Sequence, residues 1–451
     1  MKKVNIILVA AVIFSLASCG IFKKYADTTE IPDNLYGDSE LAVQTAEGKS
    51  YGDLSWRELF TDPCLQTVID SALSRNTTLA AAESVAEQAE ALLKSAKLGY
   101  LPVISLNPSI YITPDQGYTV PVSGNWGIDG FGSITNRKRE AQANALMAQD
   151  NMLAARSNLV AMAARAYYQL QLLDRELEIV TTTEEIWGKV LDTQIALMEN
   201  GRAYSTSVNQ MKASLYNVTL QKLDITNMIK DAEAAICLIL RQTPRHIERS
   251  AWNAYAMPLT VSVDLPATML EKRPDVRAAG RSLEAAYYVT NQARSAMLPG
   301  LTLSGLVGWG TNGAPISNPA DMVYNAIASL TQPIFAQGKL RANLKVSKLQ
   351  QQMAADAYVQ TVISAGNDVN AALRSCELVK EKETVYKQQI AALDDAYSAT
   401  QTLMSNGKAT YIEVLTAQES LLNAQLGEVA NIFKGRNGLI DLYVSLGGGV
   451  E

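Results

Sequence analysis

Histidine and cysteine are nearly missing from this chain. Its 451 residues hold one histidine, His246, and four cysteines, none of them in a C-x-x-C pair. That leaves no material for a zinc site or for a histidine held against a nucleophile. His246 stands in the polar loop Pro244–Glu248 and is expected to be a surface imidazole. Beyond Cys19, the cysteines Cys64, Cys237 and Cys376 are odd in number and widely spaced, so no disulfide framework follows. Cys237 and Cys376 lie in apolar helical runs and read as small core residues. A basic excess is missing as well: 39 Lys and Arg face 45 Asp and Glu, net −6, which argues against a nucleic-acid partner. Gly130-Phe131-Gly132-Ser133-Ile134 lacks the lysine of a P-loop and reads as a strand-to-helix turn. No catalytic constellation and no cofactor site remain, and no enzyme activity is expected.

A long apolar run is also lacking. The one at the N-terminus, Ile6–Leu16, follows Lys2 and Lys3 and is too short to span a bilayer. Leu16-Ala17-Ser18-Cys19 then resembles a bacterial lipoprotein cleavage box. Residues 1–18 are therefore expected to be a signal peptide, with Cys19 the lipidated first residue of a mature chain near net −8. Gly20 follows, where Asp would suggest inner-membrane retention. Residues 19–62 read as an extended segment.

What the chain does have is a duplication. Met198-Glu199-Asn200-Gly201-Arg202-Ala203 returns 206 residues later as Met404-Ser405-Asn406-Gly407-Lys408-Ala409. Asn-Gly ends a helix because Gly enters the left-handed region without a Cβ clash, so each copy (198–205 and 404–411) is the expected tip of a helical hairpin. The repeats are 63–268 and 269–451. Before each hairpin the period switches to two. Residues 102–112 and 118–128 alternate, with Ile104, Leu106, Ile110, Ile112 and Val120, Val122, Trp126, Ile128 against Ser105, Asn107, Ser123 and Asn125. Residues 299–309 and 324–334 repeat the pattern, Leu301, Leu303, Val307 and Trp309 on the apolar side. About ten residues with one apolar face is the span of a tilted transmembrane strand. Each pair is preceded by a helix (about 65–99, and one opened by Pro274) and followed by a long one, with Leu146, Leu153, Val160 and Tyr167 at sevenfold spacing. That long helix, about 134–198, would extend roughly 90 Å. The return helices are expected to end near Leu240 and Lys434.

Four strands cannot close a barrel, and an open edge in lipid leaves backbone groups unpaired. Two copies would give eight strands and a filled lumen; three would give twelve and a passage. Unpaired strand edges exclude only the monomer.

Trp56-x-x-Leu59-Phe60-x-Asp62-Pro63-x-Leu65, then Ala72-Leu73-Ser74-Arg75-Asn76 and Leu79-x-Ala81-Ala82, resembles the TolC-like outer-membrane efflux family, in its lipoprotein (NodT-like) branch. Gln332-Pro333-Ile334-Phe335 and the ending Leu442-Tyr443-x-x-Leu446-Gly447-Gly448-Gly449 are similar to the family's strand-to-helix junction and C-terminal segment. Two positions depart: Gly280 where the family commonly has Glu, and Arg241 in place of the usual Gly before Gln242.

The resemblance implies a mainly α protein with a transmembrane β part. Three chains would form a twelve-stranded barrel, four strands each, continued by a coiled-coil helical barrel in the periplasm. It implies a homotrimer in the bacterial outer membrane and a passive exit duct for small molecules, with a periplasmic adaptor and an inner-membrane RND transporter as partners. It places Asn200, Gly201, Arg202, Asn406, Gly407 and Lys408 on the adaptor-facing rim. The periplasmic gate falls at Glu413 and Thr416, with Ser207 as the first-repeat counterpart; of the three only Glu413 is acidic. A different reading of Glu413 stays open, because Thr410-Tyr411-Ile412-Glu413 also fits a capping box. Two other functions compete: a duct for type I protein secretion and a structural coiled-coil lipoprotein. The latter needs long helices and no paired membrane strands.

Overall fold

A computed structural model describes residues 23–26, 29, 43–44, 51, 54–111, 117–254, 262–263, 272–312 and 322–450. Cys19, the signal peptide, most of the 19–62 segment, and residues 112–116 and 313–321 between the paired strands lie outside the described residues. In chain order the elements are β1 (Val43–Gln44), α1 (Trp56–Leu59), α2 (Pro63–Arg75), α3 (Thr77–Leu98), β2 (Val103–Leu106), β3 (Ser109–Tyr111), β4 (Gly117–Ile128), α4 (Ser133–Glu199) and α5 (Ser205–Ile239). The second half holds β5 (Ser262–Val263), α6 (Pro274–Ser295), β6 (Gly300–Asn312), β7 (Met322–Thr331), α7 (Lys339–Ser405) and α8 (Tyr411–Ser445). α4 and α7 are both 67 residues long, and α5 and α8 both 35, as a duplication requires. Neither long helix contains proline, which is what lets such a run continue unbroken.

The chain divides into two compact units. One comprises 1–31, 82–151 and 275–361 and holds the larger sheet; the other comprises 32–81, 152–274 and 362–451 and holds both hairpin tips. In the sheet unit the order is β2–β4–β6–β7, all antiparallel, with β3 also on β4. The two repeats meet in the middle, where β4 pairs β6 from Gly117↔Asn312 to Ile128↔Leu301.

The single strand expected over 102–112 is split into β2 and β3. Its register is continuous, since Leu106↔Val122 and Ser109↔Thr119 belong to one ladder. Pro108 and, on β4, Pro121 both lack an N–H at the gap; there the pairing is held by the backbone bond from Asn107 N to Pro121 O (3.1 Å) and by Asn107 Nδ2 donating to Ser123 Oγ (3.0 Å). The last strand ends at Thr331, not at 334 as the alternation suggested, because Pro333 interrupts it.

In the tip unit the core gathers Leu65, Ile69 and Ala72 of α2, Val160, Tyr167 and Leu170 of α4, Ile236 and Cys237 of α5, and Leu439, Ile440, Leu442 and Tyr443 of α8. Val160 and Tyr167 of the sevenfold series are buried, whereas Leu146 and Leu153 are half-buried. The helix expected over 65–99 is two helices. Asn76, in extended backbone, ends α2; its Oδ1 accepts from Thr78 N (2.9 Å) and Leu79 N (3.2 Å) to start α3, and its Nδ2 donates to Ile239 O (3.1 Å). α8 runs eleven residues past the expected stop at Lys434. Gly435 and Gly438 lie inside it, and a Cβ on Gly438 would stand 3.2 Å from Cys376 Sγ and 3.3 Å from Ser375 Oγ. Glycine there admits close helix packing and is not punctuation. Burial, then Asp441 and Glu377, pushes the Cys376 thiol up to about 11, as suits an inert core residue.

α5 and α8 end alike, 206 residues apart. Arg241 N donates to Leu238 O and Gln242 N to Cys237 O; Gly447 N donates to Val444 O and Gly448 N to Tyr443 O. Both are Schellman closures, with φ +53° at Arg241 and +85° at Gly447. Arginine thus holds a left-handed position that favours glycine. Arg241→Gly is expected to stabilise the protein by roughly 0.5–1 kcal/mol, the relieved strain less the added freedom of the unfolded chain. Thermal unfolding of the purified protein measures it; an equal gain from Arg241→Ala would show that strain is not the cause.

Candidate functional site

Two places in the chain have a geometry beyond packing. The first is the larger sheet. Its registers place Leu106, Val122, Val307 and Tyr324 in one row, and Trp126, Leu303 and Ala328 in another, all on one face. Ile104, Val120, Ile128, Leu301, Trp309 and Leu330 share that face, and most of it is exposed. The opposite face carries Ser105, Ser123, Asn125, Thr302, Ser304, Asn325 and Ser329 among the apolar Val103, Leu306 and Ile327, with Ser105 Oγ and Ser123 Oγ 3.0 Å apart. An apolar face open to the surroundings and a polar face with serines and asparagines is the pattern of a barrel wall. Trp126 and Trp309 stand near the two ends of the apolar band, six residues or about 20 Å of strand apart in register. Among the described residues, both outer strands, β2/β3 and β7, leave an edge without a partner in the sheet. Among the described residues no helix is long and apolar enough to cross a membrane.

The second is the pair of hairpin tips, which are alike at the atomic level. Gly201 N bonds Met198 O (2.9 Å) and Arg202 N bonds Leu197 O (2.8 Å); Gly407 N bonds Met404 O (2.9 Å) and Lys408 N bonds Leu403 O (2.9 Å). Gly201 and Gly407 have φ of +71° and +69°, the left-handed closure that their sequence suggested. Asn200 Nδ2 and Asn406 Nδ2 each reach back four residues, to Ala196 O (2.7 Å) and Thr402 O (2.8 Å). Arg202 and Lys408 are exposed at the turn, with no acidic side chain against them among the described residues.

Just past the tips the repeats diverge. Ser207 is buried and its hydroxyl donates to Tyr204 O (2.6 Å). Glu413, its counterpart, is exposed; its Oε2 accepts from Thr410 N (2.6 Å) and Thr410 Oγ1 (3.1 Å), the glutamate half of a capping box. Thr416 is exposed one turn on. Between the hairpins, Tyr411 Oη donates to Gln210 Oε1 at 2.9 Å. Sequence reasoning singled out neither residue: Tyr411 stood at a tip, but nothing pointed to a partner 201 positions away.

His246 is exposed, as expected, and is not idle. Its Nδ1 is 2.8 Å from Glu233 Oε1. Arg249 holds the same carboxylate through Nη1 (2.5 Å) and grips Asp174 with Nε (2.5 Å) and Nη2 (2.8 Å). Burial pushes the Glu233 carboxyl up, yet Arg249, the Ile247 amide and His246 outweigh it and hold it below its usual range. This cluster ties the loop after α5 to α4 and α5. Among the described residues no group of His, Cys, Asp and Glu could hold a metal ion.

The chain is similar to known proteins over nearly all its length. It is 26% identical over 418 residues to the probable outer membrane lipoprotein SilC of Salmonella typhimurium, covering 89% of each chain. It is 23% identical over 452 residues to the cation efflux system protein CusC of Escherichia coli K12, covering 97% and 98%. Among solved structures it superposes on the outer-membrane channel OprN with a TM-score of 0.86, at 22% identity and 96% and 100% coverage. On the open state of the Neisseria gonorrhoeae MtrE outer membrane channel the TM-score is 0.79, at 25% identity and 94% and 99% coverage. The family model of the outer membrane efflux protein matches residues 68–240 and 265–448, one segment for each repeat, and the chain belongs to that family.

Proposed function

We propose that this chain is the outer-membrane exit duct of a tripartite efflux system. It assembles as a homotrimer, twelve strands in the membrane and a helical barrel in the periplasm, and passes small molecules from an inner-membrane RND pump and a periplasmic adaptor. One observation carries the reading: most of the large apolar residues of all four strand segments share one face, and the sheet that presents them ends, among the described residues, in two unpaired edges. Lipid can hold such a sheet only if other copies close it. A structural lipoprotein has no use for that face. Arg202 and Lys408, with no acidic partner among the described residues, suit an adaptor with acidic complementarity, and the lipid at Cys19 supplies the anchor. Planar-bilayer recording of the purified protein tests the duct; a membrane-inserted trimer without conductance would overturn it. Copurification with an adaptor and pump identifies the system.

Glu413 supplies the gate in this reading, as a ring of three carboxylates around the axis. Such a ring attracts cations and is blocked by multivalent ones. Its hydrogen bonds to Thr410 favour a second role, as a helix cap. Glu413→Gln separates the two, since Gln serves a capping box without charge. The gate requires weaker cation selectivity and weaker multivalent block at unchanged thermal stability. Unchanged selectivity and block would leave Glu413 as a cap alone.

A further inference from the structure

The start of α7 is charged against its own dipole. Its first ten residues include Lys339, Arg341, Lys345 and Lys348, and no acid follows until Asp356. The amino end of a helix is its positive pole, where cations are unfavourable and acids are usual. Internal stability therefore does not explain the run. Arg341, Lys345 and Lys348, at i, i+4 and i+7, form one exposed stripe. It is turned away from α6, against which Ser347 is buried, its carbonyl accepting from Thr290 Oγ1 at 3.1 Å. None of the three has an acidic partner among the described residues.

What precedes the stripe says what covers it. Between the end of β7 and α7, Ile334 is 96% exposed and Phe335 85%. Along the chain the order is apolar sheet face, then two bare apolar side chains, then bases. A bilayer has the same order: hydrocarbon, interface, phosphate. From Arg341 to Lys348 the helix rises about 10 Å, comparable with the polar layer of one leaflet once long side chains reach through it. The first repeat echoes the arrangement at its own junction, where Trp126 Nε1 donates to Tyr100 O (2.8 Å) and Lys138 Nζ lies 5.9 Å from the Tyr100 ring.

We infer that Arg341, Lys345 and Lys348 form a binding surface for the phosphates of anionic phospholipids in the leaflet on the helical side of the sheet. The inference rests on the outer-membrane reading above.

The test compares the detergent-purified protein with the triple variant Arg341→Gln, Lys345→Gln, Lys348→Gln, since Gln keeps helix propensity and removes charge. Native mass spectrometry reads retention of phosphatidylglycerol against phosphatidylcholine, with inorganic phosphate added as a competitor. The wild type retains phosphatidylglycerol selectively, phosphate does not displace it, and the triple variant loses roughly fivefold of the preference per charge removed. Lys380→Gln with Lys382→Gln, farther along α7, leaves the preference intact. Equal preference in the triple variant overturns the assignment, as does displacement by phosphate. Loss of the trimer in the variant would show that a second copy covers the stripe; altered ion selectivity with lipid preference unchanged would place it in the passage. Both overturn the proposal. A wild-type protein that enters no bilayer overturns the outer-membrane reading itself, a failure distinct from insertion without lipid preference.

Discussion

Gly308→Val is expected to abolish the membrane-embedded assembly. Gly308 pairs Pro121 across the seam between β4 and β6. A Cβ there would stand 2.5 Å from Pro121 Cα, 2.7 Å from Val120 O and 3.0 Å from Pro121 N. All three are backbone atoms in a central strand, so no side chain can swing aside and the strands must part. Overpacking a well-filled site costs about 1–3 kcal/mol, and parting two strands in lipid adds several kcal/mol for each unpaired backbone group. The seam is the place where the two repeats join within the sheet, so its loss breaks every copy's contribution to a barrel. Heat-modifiable trimer in the outer-membrane fraction measures the outcome. Gly305→Ala is the control: its Cβ would meet only Asn325 O, at 3.7 Å, and the trimer should persist. Normal trimer from Gly308→Val would refute the seam.

The second large effect concerns Asp62. It is 2% exposed and accepts from Tyr167 Oη (2.7 Å), Ser250 Oγ (2.8 Å), Cys64 N (2.9 Å) and Gln171 Nε2 (3.4 Å). Gln171 Oε1 in turn accepts from Arg436 Nη1 (3.0 Å), while Arg436 Nη2 donates to Asn253 Oδ1 (2.7 Å) and the guanidinium stacks on Trp252 (4.3 Å) and Tyr168 (4.9 Å). Burial pushes the Tyr167 hydroxyl well above its usual range, and its bond to Asp62 does so too, so it remains a neutral donor. Four segments of the tip unit meet in this network: the entry to α2, the middle of α4, the loop after α5 and α8. Asp62→Ala leaves the Tyr167 and Ser250 hydroxyls without their acceptor and Arg436 without its compensating charge. A loss of about 3–5 kcal/mol is expected, the cost of breaking a buried ionic network from one side. Asp62→Asn, which keeps one acceptor oxygen, should lose about 1–3 kcal/mol. Thermal unfolding reads both. A change under about 0.5 kcal/mol in Asp62→Ala would class the site with ordinary surface positions.

The network also accounts for the motif that made the sequence recognisable. Trp56-x-x-Leu59-Phe60-x-Asp62-Pro63 encloses a helix start: Pro63 in the first turn of α2, Asp62 as its cap, Phe60 fully buried edge-on to Tyr443 at 6.3 Å. A pattern found at one end of the chain is held by residues at the other.

The sequence alone determined whatever is local. Period two and period 3.6 set the strands and helices, and Asn-Gly set both tips, because side-chain alternation and the left-handed freedom of glycine act within a few residues. The duplication was legible for the same reason, one local pattern printed twice. Local signals also misled where their meaning depends on a neighbour. The stop expected near Lys434 lies inside α8, where Gly438 packs against Cys376 and Ser375. Asn76 passed for an ordinary helical residue until Ile239 O stood opposite its amide. Only the tertiary structure decided the β4–β6 seam, the Tyr411–Gln210 bond and the opposite environments of Ser207 and Glu413. Each depends on which segment lies alongside, and that is fixed by burial and hydrogen-bond pairing across some 200 positions, for which no single stretch of chain carries a signal.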